Sequence, residues 1–182
     1  MSIKIIEPSP AIPFVDDNVK AICVANWDFN GDGELNEGEA AIVTDLGQVF
    51  KGNTNITSFD ELRYFTGLTS IGYQAFHGCS GLTSVTIGNG VTSIGYQAFY
   101  NCNGLTSIHV EEENPKYDSR DNCNAIIETA TNKLIKGCKN STIPNTVTEI
   151  GDGAFQNCNN LTSINIPNSV TRIGCESFEC CI

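Results

Sequence analysis

Apolar and polar positions alternate along residues 59–182 in a pattern that returns every 23 residues. Residues 82–104 read LTSVTIGNGVTSIGYQAFYNCNG, residues 138–160 read CKNSTIPNTVTEIGDGAFQNCNN and residues 161–182 read LTSINIPNSVTRIGCESFECCI. The second half of residues 59–81 fits the same frame, so Phe76 recurs as Phe99, Phe155 recurs as Phe178, and Cys79 recurs as Cys102. Each unit has the form L-x-x-[VI]-x-[VI]-x-x-x-V-x-x-I-G-x-x-[AS]-F-x-x-C. The opening apolar pair has the two-residue step of a strand with one buried face. The stretch leading to Phe and Cys has helical or 3-10 spacing and backs that strand. One such unit cannot bury its own apolar face, but stacked units can, which predicts a solenoid. The strands are expected to form one continuous parallel sheet, with Leu, Ile and Val ladders inside.

One unit is longer. Phe99 and Phe155 are separated by one regular and one enlarged unit, which makes residues 105–137 a single rung with an insertion. Ala125 to Glu128 and Lys133 to Lys136 read as two short strands joined by Thr129 to Asn132, a hairpin. The predicted rungs are therefore 59–81, 82–104, 105–137, 138–160 and 161–182.

The first third follows a different pattern. Asp16 or Asp17 can cap a helix running to about Asn26, with Val19 and Cys23 at helical spacing. Residues 28–39, DFNGDGELNEGE, match the twelve-residue EF-hand loop at each defining position. Asp28, Asn30 and Asp32 stand at positions 1, 3 and 5, where short oxygen-bearing side chains converge on one ion. Gly33 takes position 6, a sharp turn with positive φ. Glu34 at position 7 offers its backbone carbonyl, and Leu35 at position 8 anchors the loop to a core. Asn36 at position 9 binds directly or through water, and Glu39 at position 12 has bidentate reach. Three carboxylates predict calcium affinity in the micromolar to millimolar range. Glu37 to Leu46 reads as the exiting helix, stopped by Gly47. A lone EF-hand braces a junction more often than it switches one, so the calcium is expected to be structural. The predicted organisation is a flexible segment over 1–13, a helix-loop-helix cap over 14–58, and a solenoid over 59–182.

Charge supports that division. The formal net charge is −11, and residues 1–61 account for −8 of it, around the candidate cation loop. So acidic a chain is a poor partner for nucleic acid or anionic membranes. No apolar run is long enough to span a bilayer.

Nine cysteines are present, without a CxxC pair. Cys79, Cys102, Cys158 and Cys181 share one rung position and read as small buried hydrophobes. Neighbouring rungs lie within disulfide reach, and Cys123 and Cys138, flanking the hairpin, are the best candidates for a bridge. The two histidines, His77 and His109, have no triad partners in any recognisable motif, so no enzymatic activity is predicted. The outward face of the predicted sheet is polar and nearly uncharged. Thr86, His109 and Asn165 on that face, and Tyr117 before the hairpin as an aromatic anchor, are the candidate partner contacts. No comparable cap follows Cys181, which predicts end-to-end association through the last rung.

The motif AFxxC after VTxIG, at Ala98-Phe99 to Cys102 and Ala154-Phe155 to Cys158, resembles the leucine-rich repeats of the BspA-like family of Bacteroides-type surface proteins. The acidic loop and the following AAIVTDLGQVF and ITSFDELRYFTGLTSI resemble the unit that precedes such repeats. Together the resemblance covers about residues 14–182. It implies an α/β repeat fold, a leucine-rich-repeat solenoid of short parallel strands and 3-10 turns with a helix-loop-helix cap. It also implies an extracellular or cell-surface location and binding of a protein or glycan, as in adhesion. The alternative is a non-binding structural spacer within a larger surface protein. As given, the chain opens without a secretion signal and ends inside a rung, which suggests a fragment or a short member.

Overall fold

The computed structural model describes residues 9–159 and 161–181. Helix α1 spans Asp17–Trp27, and its N-cap, Asp16, accepts from the backbone N–H of Asn18 and Val19. Helix α2, Glu37–Ala41, opens on a capping box between Asn36 and Glu39. It ends well short of Leu46, because Ile42, Val43 and Thr44 are β-branched and disfavour helix. The chain turns instead into the solenoid, where Asp45 bridges Ser70 in parallel. Phe50 stacks on Phe76 at 5.3 Å, as Phe76 stacks on Phe99. Residues from Asp45 onward therefore already form a rung, and the cap is shorter than the predicted 14–58. Residues 1–8 lie outside the described residues, but the rest of the segment expected to be flexible is docked. Ile12 is buried and its N–H donates to the carbonyl of Leu35.

The short strands are β1 (Ser58–Phe59), β2 (Ser70–Ile71), β3 (Ser84–Ile87), β4 (Ser93–Ile94), β5 (Ser107–Val110), β6 (Tyr117–Asp118), β7 (Ala125–Glu128), β8 (Lys133–Gly137), β9 (Glu149–Ile150) and β10 (Arg172–Ile173). Strands β1, β3 and β5 form a parallel ladder, with Val85 opposite Ile108 and Ile87 opposite Val110. Strands β2 and β4 form a second parallel pair on another side of the coil. The inserted hairpin is β7 with β8, joined by β6 on one edge and by β9 and β10 on the other.

The continuous sheet expected across all rungs is thus split. No strand forms over Leu161 to Ile166, nor over the equivalent Ser141 to Ile143. Pro144 and Pro167 occupy the slot that Gly88 and Glu111 hold in earlier rungs. Glu111 donates its N–H to the carbonyl of Ile87 there, a bond proline cannot make.

Turn-side packing continues where the strand ladder stops. Phe155 and Phe178 stack at 5.2 Å, 5° from parallel. The cysteine row has a polar role as well as an apolar one. The thiols of Cys79, Cys102 and Cys181 donate to the carbonyls of Phe50, Phe76 and Phe155, each at 3.0 Å. Each thiol is a second donor to a turn carbonyl of the preceding rung, which also accepts a backbone N–H from Asn53, Cys79 or Cys158. All nine cysteines are unpaired. Cys123 and Cys138 do not form the bridge considered for them; their thiols donate to the carbonyls of Ala125 and Asn124. Burial pushes the Cys123 and Cys158 thiols up to about 11, which keeps them protonated donors.

The cap and the first rungs share one core. Trp27 meets Phe65 edge-on at 5.5 Å and Phe50 at 6.2 Å, and Phe59 meets both Phe50 and Phe65. Asp16 adds a polar tie, accepting from the N–H and hydroxyl of Thr57 at the entry to β1. Burial alone would raise the Asp16 pKa, but these bonds and those from Val19 and Asn18 outweigh it and hold the group at about 2.

Candidate functional sites

The acidic loop is built from successive side-chain-to-backbone turns. Asp28 accepts from the N–H of Gly31 at 2.7 Å and of Gly33 at 2.9 Å. Asn30 accepts from Asp32, and Asp32 accepts from Glu34. Gly33 sits at φ +87°, as loop position 6 demands. Leu35 is fully buried, which fastens the loop to the core.

Glu39 is the unusual group. Its side chain is wholly buried, yet among the described residues it has no basic partner. It accepts instead from the N–H of Phe29 and Asn30 at 3.0 Å each, and of Asn36 at 3.1 Å. A buried carboxylate must be compensated, and three backbone donors hold it across both ends of the loop. Glu34 points away and pairs with Lys20 at 2.7 Å, so its side chain is not directed at the loop centre.

Among the described residues no three His, Cys, Asp or Glu side chains stand at metal-holding distance. The carboxylates are engaged by the loop's own amides. The donor set nevertheless fits calcium in kind and order: oxygen atoms only, on alternate residues, closed by a carboxylate whose two oxygens are held by backbone amides.

Of the four candidate partner contacts, two are exposed. His109 on β5 and Asn165 in the last rung face solvent. Thr86 does not: it is buried under the 3-10 turn Asp60–Tyr64, and its hydroxyl donates to Asp60 at 3.2 Å. Tyr117 is also buried, at 5% exposure, and is not a surface anchor. The cause is Asn114, whose amide donates to the carbonyls of Gly88 and Val91 and whose oxygen accepts from Lys116 and Tyr117. Four bonds from one side chain fold residues 111–117 back onto the solenoid, where they brace it.

Apart from Phe29 in the acidic loop, the strongly exposed aromatics among the described residues lie on the turn side. Tyr73 and Tyr96 are 56% and 71% exposed and stack on each other at 6.5 Å. They occupy the first variable position of I-G-x-x-A-F, where the repeat leaves the side chain outside the core. Beside Tyr96 opens a cleft of about 360 Å³, lined by Ile94 to Tyr100 on one side and by Ile135, Lys136, Asp152, Gln156 and Glu176 on the other. It falls where the enlarged rung supplies no AFxxC turn, so the Phe99 ring is not continued by Phe155.

Stacked parallel strands, backing turns and inward Leu, Ile and Val ladders define a leucine-rich-repeat solenoid. The chain belongs to the family described as the BspA type leucine rich repeat region, which matches six copies over residues 47–136 and 125–182. The match begins at Gly47, in keeping with the extra rung. No curated protein matches the chain.

Several solved structures are similar. A leucine-rich repeat protein from Eubacterium ventriosum is 25% identical with a TM-score of 0.54, over 62% of this chain and 31% of that one. A leucine rich cell surface protein from Faecalibacterium prausnitzii is 30% identical with a TM-score of 0.50, over 66% of this chain and 35% of that one. The pneumococcal vaccine antigen PcpA shares the fold, at 18% identity and a TM-score of 0.55 over 71% of this chain and 36% of that one. The chain thus spans about a third of the length of the structures it matches. The company is one of repeat proteins and accords with a non-enzymatic role.

Proposed function

We propose that this chain is a calcium-braced binding module of a cell-surface protein, which recognises a protein or glycan partner. The observation that carries the binding role is the exposed Tyr73–Tyr96 pair on a regular scaffold, because paired surface aromatics give contact area at low entropic cost. The surface location is supported by the cell-surface protein of Faecalibacterium prausnitzii among the similar structures.

Calcium is assigned to Asp28, Asn30, Asp32 and Glu39, with the Glu34 carbonyl and Asn36 completing the set. When bound, the ion supplies positive charge where the chain is most acidic. The residues already orient the loop: Leu35 fixes it below, and Glu39 ties its start to helix α2. Calcium is therefore expected to raise the melting temperature with little change in shape.

Calorimetric titration of calcium, with thermal melts of the wild type and Glu39→Gln, tests the bracing role. Binding in the micromolar to millimolar range, lost in the variant, is expected. Absence of binding at millimolar calcium contradicts the assignment. For recognition, surface-protein and glycan panels probed with the wild type and with Tyr73→Ala/Tyr96→Ala should show binding that the double variant loses. Binding unaffected by that change would move the contact surface away from the tyrosines.

A further inference from the structure

The turns of this solenoid are joined by a regular set of backbone bonds. Gln74, Phe76 and Gly78 donate their N–H groups to the carbonyls of Tyr96, Ala98 and Tyr100 in the next rung. Gly153, Phe155 and Asn157 donate in the same way to Cys175, Ser177 and Glu179. Donors and acceptors both fall on alternate residues, as between paired extended segments.

The equivalent donors of the rung at 95–102 are Gln97, Phe99 and Asn101. Their backbone matches that of the paired rungs: Gln97 is at φ +57° against +58° for Gln74, and Asn101 is at φ +58°, as is Asn157. Phe99 lies parallel to Phe76 within 4°. These three N–H groups have no hydrogen-bond partner among the described residues, because the next rung is the enlarged one and carries the hairpin in place of a turn.

The far wall of the cleft is partly closed. Gly137 donates to the Ala154 carbonyl and the Lys136 ammonium to the Gln156 carbonyl, each taking a place that a turn donor would fill. The carbonyl of Asp152, the third in that row, has no partner among the described residues. The cleft therefore offers three aligned donors on one wall and one acceptor on the other. Its apolar lining is Ile94, Phe99 and Ile135.

We infer that this cleft is a docking slot for an extended polypeptide segment of a partner, which supplies the missing turn by backbone pairing. The occupant presents carbonyls on alternate residues to Gln97, Phe99 and Asn101, and an N–H to Asp152. It places a small-then-aromatic pair against Phe99 and Ile135, as Ala98-Phe99 does against Phe76. This is strand addition applied to the turn side of a repeat: main-chain bonds give affinity, and the apolar lining gives selectivity. A saccharide has hydroxyls, but no fixed row of acceptors at this spacing. The inference rests on the reading of the chain as a binding module and names the site and partner class.

The test is amide-resolved hydrogen exchange on the full chain, free and with a peptide of sequence GYQAFYNS, the turn at 95–102 with Cys102→Ser. In the free chain, the amides of Gln97, Phe99 and Asn101 should exchange at least about tenfold faster than those of Gln74, Phe76 and Gly78. Saturating peptide should slow the first three at least about tenfold and leave the second three unchanged. A control peptide with Asp in place of Phe should leave all six unchanged.

Equal protection of the two sets in the free chain would overturn the slot. So would a peptide that leaves these amides unmoved at millimolar concentration, or a glycan that protects them when the peptide does not. Failure of the peptide while the module still binds a surface partner removes the slot and leaves the proposed function standing. Loss of panel binding with peptide protection intact does the reverse.

Discussion

The rungs before and after the inserted hairpin use the same repeat but are held differently. Before it, a strand ladder through β1, β3 and β5 runs beside stacked phenylalanines and thiol–carbonyl bonds. After it, that ladder is lost where prolines 144 and 167 stand, while the phenylalanine stack and the turn-to-turn bonds, interrupted at the enlarged rung, resume. The turn side is thus the part of this solenoid that recurs in both halves, and the strand face is optional. Ile87, Val110, Ile143 and Ile166 occupy one repeat position and are 0%, 3%, 7% and 41% exposed in that order.

The largest effect is expected from the element common to both halves. Phe76 is fully buried between Phe50, Phe59 and Phe99, so Phe76→Ala should cost about 3–5 kcal/mol in denaturant unfolding. A cost near that of a surface substitution would refute the turn-side account. The next contrast is within the strand position. Ile87→Ala should cost about 2–5 kcal/mol, whereas Ile166→Ala should cost less than about 1 kcal/mol. Equal losses would mean that the strand face contributes alike in both halves.

A middle-sized effect comes from the thiols. Cys102→Ala removes the thiol donor to the Phe76 carbonyl, which retains the Cys79 N–H, and should cost about 1–2 kcal/mol from the lost bond and the lost packing of the buried sulfur. Cys102→Ser keeps a donor and should recover part of that loss. If serine is no better than alanine, the cysteine row acts through packing alone.

The smallest contrast tests the cap. Asp16 has its folded pKa held at about 2, below the unfolded value of about 4. Its contribution is therefore present above pH 4 and is lost as pH falls toward 2. Asp16→Ala should remove about 1–2 kcal/mol at neutral pH and flatten the stability profile between pH 4 and 2. An unchanged acid limb would place the pH dependence elsewhere.

Much of this was legible in the sequence, for identifiable reasons. The Phe and Cys spacing gave the solenoid because buried turn positions tolerate few residue types. The hairpin strands at 125–128 and 133–136 followed from apolar content and the polar link between them, and helix α1 followed from its capping aspartate. The first rung was missed because Phe50 to Phe76 is 26 residues and falls outside the 23-residue period. The split sheet was written in Pro144 and Pro167, which the repeat formula absorbed as ordinary variable positions. The burial of Tyr117 depends on Asn114 reaching Gly88 and Val91, contacts more than twenty residues away that no local pattern reveals. The cleft is harder still to foresee, since it is defined by bonds that the enlarged rung fails to make.

Native-state hydrogen exchange across the two halves tests most directly whether the turn side carries the solenoid. The amides of Gly153, Phe155 and Asn157 should be protected about as well as those of Gln74, Phe76 and Gly78, while those of Ile164, Asn165 and Ile166 exchange far faster than those of Val85, Thr86 and Ile87. Protection of 164–166 equal to that of 85–87, or loss of protection at 153–157, would contradict it.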